Sequence, residues 1–148
     1  MSLSLIMQYV NTVLVCILCA WAWFRGGPAE RQGAALVLPS WILSMIFHEV
    51  RQGGPGPIVV GIDIFVAVAF VVLLVMHRKI WLVLMVACQV NLVAAHFIAI
   101  PQFIDGWSFF LVINIWGGYG VLISLALGMV LHELGVGRKR KRLTATTS

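Results

Sequence analysis

Charge is what this chain has least of. Only 10% of its 148 residues are Asp, Glu, Lys or Arg, against about 25% in an ordinary soluble domain. With 61% of the chain hydrophobic, a protein this small could not cover its core with polar surface in water. A soluble globular domain is therefore excluded, and a bilayer is the natural solvent. The formal net charge of +5 comes largely from one run, Arg138-Lys139-Arg140-Lys141-Arg142. The rest is nearly balanced, so no nucleic-acid partner is expected. Cysteines number three, an odd count that provides no disulfide framework. Cys16-x-x-Cys19 has redox spacing but lies mid-span, where a thiolate is disfavoured, so both residues are expected to pack as small hydrophobes. No basic residue precedes Arg25. The first apolar run thus lacks the n-region of a signal peptide, despite the small-x-small Ala20-Trp21-Ala22, and is expected to be a retained helix. Internal repeats and long polar loops are missing too. There is little chain outside the membrane on which to build a soluble active site, and the protein is expected not to be an enzyme.

What is present is long apolar runs. A membrane span needs about 20 such residues. Five segments qualify, 3–24, 34–50, 58–76, 80–100 and 107–131. The expected fold is all-α: one transmembrane helical domain over residues 1–137, a bundle of five spans with short loops, and a basic cytoplasmic tail over 138–148. Segment 34–50 is the shortest and contains Pro39. Cytoplasmic loops collect Lys and Arg. With the N-terminus outside and the C-terminus inside, every basic residue except Arg51 falls on the cytoplasmic side. A re-entrant second segment would leave Arg25, Arg31 and Arg51 all outside, which makes five spans the better topology.

A polar group in hydrocarbon costs several kcal/mol unless compensated, on the order of 2–7 for an amide or hydroxyl. Intramembrane polar residues therefore face other helices or water. Gln8, Asn11 and Thr12 lie within a turn of each other in span one. Ser40, Ser44 and His48 recur every four residues and share one face of span two, with Glu49 at its mouth. Asp63 lies about 7.5 Å of helix rise inside span three, and His96 about 6 Å inside span four. Gln89 shares the His96 face, and Asn114 sits in the outer part of span five. On the topology set by Lys and Arg alone, nearly all these groups fall in the outer half of the bilayer. Asp63, His96, His48, Glu49, Gln89 and Asn114 are the candidate polar site. The two-span hairpin around His77-Arg78-Lys79 brings Asp63 and His96 to similar depth on neighbouring helices. The alternative for all of them is plain interhelical tying, which averages under about 1 kcal/mol per contact.

Other motifs point to packing. Gly117-Gly118-Tyr119-Gly120 has the letters of a carbonyl filter, but a filter needs a pore loop and this lies in a continuous apolar run. Gly120, Ser124 and Gly128 make a small-xxx-small stripe for close helix approach, within the bundle or in a dimer. His48-Glu49 lacks the second histidine of a zinc-protease helix. Zinc would need ligands from separate helices, haem two histidines from different ones, and no cofactor is assigned. Trp21, Trp23, Trp41, Trp81 and Trp107 are expected mostly at the interfacial belts. The basic tail is expected to enforce orientation and touch anionic lipid.

The run FRGGPAERQGA after the first span, GIDIF in the third, the HRKIW hairpin and AAHFIAIP in the fourth resemble an uncharacterised group of small polytopic membrane proteins of alphaproteobacteria. The resemblance covers about residues 24 to 131. It implies a bacterial inner (plasma) membrane location and carries no catalytic residue over. Three functions remain open. The first is a non-enzymatic accessory or interaction subunit of a membrane assembly, with a membrane-protein partner or a second copy. The second is a small proton- or ion-coupled transporter using Asp63 and His96. The third is a haem-, quinone- or metal-binding membrane protein. Orientation is directly testable: a fluorescent reporter fused after Ser148 should glow, and an alkaline phosphatase fused there should be inactive. Strong phosphatase activity would reverse the topology.

Overall fold

The structure, a computed structural model, describes residues 3–49, 57–98, 112 and 114–146, with side chains over 6–47, 57–97, 112 and 114–135. Five α-helices account for nearly all of the described residues: α1 (Leu3–Arg25), α2 (Pro28–Glu49), α3 (Pro57–His77), α4 (Ile80–Ile98) and α5 (Val121–Thr146), the last preceded by a π-helical segment, Asn114–Gly120. Consecutive helices pack as antiparallel neighbours, and α5 closes the bundle against α4, α1 and α2. Four helical stretches, Ile6–Arg25, Pro57–His77, Ile80–Phe97 and Asn114–Gly135, are long and apolar enough to cross a membrane. The protein is a multi-pass membrane protein built as a helix bundle. α2 is as long, at 22 residues, but is not among the four.

The turns follow from local chemistry. α1 runs 23 residues without Gly or Pro and stops where Gly26 donates its N–H to the Ala22 carbonyl at 2.9 Å. A Cβ at Gly26 would collide with that carbonyl. Gly27 then accepts the Arg31 N–H at 3.0 Å, and Pro28 takes the first helical position, where its missing N–H costs nothing. This moves the start of α2 from the expected residue 34 back to Pro28: the polar stretch read as a loop is helix, since Ala29, Glu30, Arg31 and Gln32 are good helix formers. The α3–α4 turn is two residues long. Arg78 ends α3 in the left-handed region, φ 50, with its N–H on the Leu74 carbonyl at 2.8 Å. Only the last part of the expected fifth span, from the π segment onward, and residue 112 lie within the described residues. At its far end α5 continues to Thr146, so the basic run 138–142 is helical.

The core corrects one expectation outright. Trp81, the second residue of α4, is 1% exposed and packs into the bundle rather than facing lipid. It fits there because two glycines make room for it: a Cβ on Gly33 would lie 3.3 Å from its ring, and one on Gly128 2.6 Å from it. Around it Phe70, Leu82, Met85, Leu125 and Met129 are fully buried. Trp23 is 57% exposed, as a lipid-facing or belt residue should be, and Trp107 lies outside the described residues.

The Gly120–Ser124–Gly128 stripe faces α4 inside the bundle. A Cβ on Gly120 would meet the Cys88 sulfur at 2.8 Å, and Ser124 donates its hydroxyl back to the Gly120 carbonyl at 2.8 Å. Gly128→Leu should therefore destabilise the protein in detergent by about 1–3 kcal/mol, the usual cost of overpacking. Gly61→Leu should leave the melting temperature unchanged or raise it, because nothing lies within 4 Å of a Cβ there. Equal melting temperatures for the two variants would mean that α4 and α5 are not packed through Trp81.

Candidate functional site

Two clusters of buried polar side chains lie toward opposite ends of the bundle. At the end away from the α1–α2 and α3–α4 turns, Asp63 lies two turns into α3 and faces α4. His96 Nε2 is 2.9 Å from Asp63 Oδ2, the geometry of an N–H donated to a carboxylate. The side chains are 2% and 12% exposed respectively. Gln89, two turns before His96 on the same face, donates its amide to the Asp63 carbonyl at 3.3 Å and to Oδ1 at 3.5 Å. One acid thus receives donors from two α4 side chains seven residues apart. In apolar surroundings that arrangement does two things. It ties α3 to α4, and it sets an imidazole and a carboxylate within hydrogen-bond distance of each other.

The other candidates are less closely placed. Asn114 opens the π segment and is half-buried. His48 and Glu49 belong to the last turn of α2, but their side chains lie outside the described residues. Ser40 donates to the Val37 carbonyl of its own helix at 2.9 Å, and Ser44 is half-buried. Near it, Thr12 of α1 accepts the Trp41 indole N–H at 3.3 Å. Asn11 is fully buried, with neither amide atom hydrogen-bonded among the described residues, and a Cβ on Gly118 of the π segment would run into it. The three cysteines are free. Among the described residues, no three His, Cys, Asp or Glu side chains converge as a metal site would require.

The second cluster lies at the basic end and was not anticipated from the sequence. Glu30, 0% exposed, faces the α3–α4 turn, where Lys79 Nζ reaches its Oε1 at 2.6 Å. Its Oε2 has no hydrogen bond among the described residues and lies 3.9 Å from His132 Nδ1 of α5. Gly27 leaves a notch between them: a Cβ there would lie 2.9 Å from both Glu30 Oε2 and the His132 ring. Beside it Glu133 of α5 takes the Trp21 indole N–H at 3.2 Å and pairs with Arg25 at 3.3 Å. His77 meets Gln32 at 2.8 Å. One sequence signal for Glu30 did exist: Pro28 followed by an acid two positions later is the start of a helix, with the acid on the favourable end of its dipole.

The chain matches no family model, and no curated protein or solved structure pairs with it.

Both clusters lend themselves to double-mutant cycles on stability in detergent. Asp63→Asn and His96→Gln should each cost about 1–3 kcal/mol, because each leaves a buried partner unmet. Their coupling should exceed about 0.5 kcal/mol. Lys79→Met should cost more than Glu30→Gln combined with Lys79→Met, since the single change strands a buried carboxylate. The effect is moderated because Lys79 is 36% exposed and partly screened. Additive energies in either cycle would show that the pair does not act as a unit.

Proposed function

We propose that the protein is a non-enzymatic accessory or interaction subunit of a bacterial inner-membrane assembly, with its C-terminus in the cytoplasm. The observation that carries this is the filled middle of the bundle. Phe70, Trp81, Leu82, Met85, Leu125 and Met129, all at most 1% exposed, lie between the Asp63–His96 pair and the Glu30–Lys79 pair. Carriers place their sites near the midplane, at an interface that rocks between two openings. Here the side chains buried between the two pairs are mainly apolar. The polar groups lie toward the ends and connect helix to helix: α3 to α4 through Asp63 and His96, α2 to the α3–α4 turn through Glu30 and Lys79, and α1 to α5 through Arg25, Trp21 and Glu133. A rigid scaffold with lipid-facing apolar sides suits association with other membrane helices.

Proton-coupled transport is the second reading, supported by the Asp63–His96 pair itself, since a buried carboxylate in a membrane is costly to keep. The two separate cleanly. Extraction from native membranes in mild detergent should give a stoichiometric complex with another membrane protein. Proteoliposomes of the purified chain should hold an imposed pH gradient as long as empty vesicles do. A chain that purifies alone and collapses the gradient, with the leak lost in Asp63→Asn, would overturn the accessory role in favour of the carrier.

A further inference from the structure

We infer that the α3–α4 turn is a binding site for one anionic phospholipid, its phosphate held by Arg78 and its acyl chain laid along α4. The site depends on membrane placement alone, and stands or falls independently of any partner subunit. A groove of about 380 Å³ opens at this turn, lined by Leu74, Arg78, Lys79, Ile80 and Val83. Its walls are apolar, with Ile80 68% and Val83 46% exposed, and its mouth is basic. That is the chemical division of a phospholipid, and it lies at the ends of two membrane-spanning helices, where a headgroup sits.

Charge decides between anionic and zwitterionic lipid. Lys79 is neutralised by Glu30 at 2.6 Å, and Arg25 by Glu133 at 3.3 Å. The exposed Arg78 guanidinium has no ion pair or hydrogen bond among the described residues. The groove therefore presents an uncompensated positive charge, in a planar fork suited to phosphate. The backbone supports the same assignment. Arg78 has φ 50, at the helix-ending position that glycine fills without strain. That conformation sets the direction in which the arginine leaves the turn, and its side chain lines the groove.

The test is native mass spectrometry of the full chain in detergent with phosphatidylglycerol or phosphatidylcholine added at equal concentration. The parent should retain one phosphatidylglycerol in preference to phosphatidylcholine. Arg78→Gly should lower that retention about fivefold, the factor expected of one basic residue at an anionic surface. Its melting temperature without lipid should hold or rise, because glycine relieves the backbone. Val83→Trp, which fills the groove and keeps the charge, should lower retention too. Arg31→Gln is the control: an exposed arginine at the same end that does not line the groove, its loss should leave retention near the parent's. Equal retention of the two lipids, undiminished binding in Arg78→Gly, or an equal loss in Arg31→Gln would overturn the site.

Discussion

Glu30 has no exposed surface and one lysine within reach, and the basic end of the bundle is arranged around that fact. An ionised carboxylate taken out of water is tolerated only with a close countercharge. The countercharge comes from Lys79, at the turn between α3 and α4, so α2 has to dock against that hairpin at one height and rotation. The carboxylate's position in turn requires α2 to begin at Pro28, six residues before its apolar stretch. The double glycine of the α1–α2 turn lets the chain pass close beside the carboxylate and His132. From there Trp81, two residues past Lys79, drops into the gap opened by Gly33 and Gly128, and α5 closes against α4. A polar pair at the rim thus sets the register in which the apolar core meets.

The two ends of the bundle solve the same problem with different chemistry. At the basic end the Glu30 carboxylate is buried and only its lysine partner reaches water. At the other, Asp63 is matched with an imidazole and an amide in a drier setting. Between them the buried side chains are mainly apolar, with Ser124 bonded to its own helix and the indole N–H of Trp81 without a partner among the described residues. That division is what favours a scaffold over a conduit.

Much of this was legible in the residues. Apolar run length gave the helices, and the short HRK hairpin combined with equal depth put Asp63 beside His96. Four-residue spacing of Gly120, Ser124 and Gly128 gave a close-packing stripe. What could not be read were facts of rotation and packing. Trp81 has the composition and position of an interfacial residue, and only the two glycines on other helices make it a core residue. Glu30 lay in a stretch rich in Gly, Pro and charge, and its burial depends on where α2 and α5 come to rest. The π turn at Asn114–Gly120 has no periodic signature in so apolar a run.

The burial of Phe70, Met85 and Leu125 implies that the middle of the bundle is sealed. Single cysteines placed at Phe70, Met85 and Leu125, in a background with Cys16, Cys19 and Cys88 replaced by alanine, test it directly when probed with a small membrane-impermeant maleimide from each side of sealed vesicles. None of the three should label from either side, while a cysteine at Arg31 should label from the cytoplasmic face. Labelling of Met85 or Leu125 from either side would show a water-filled path through the core and contradict the account.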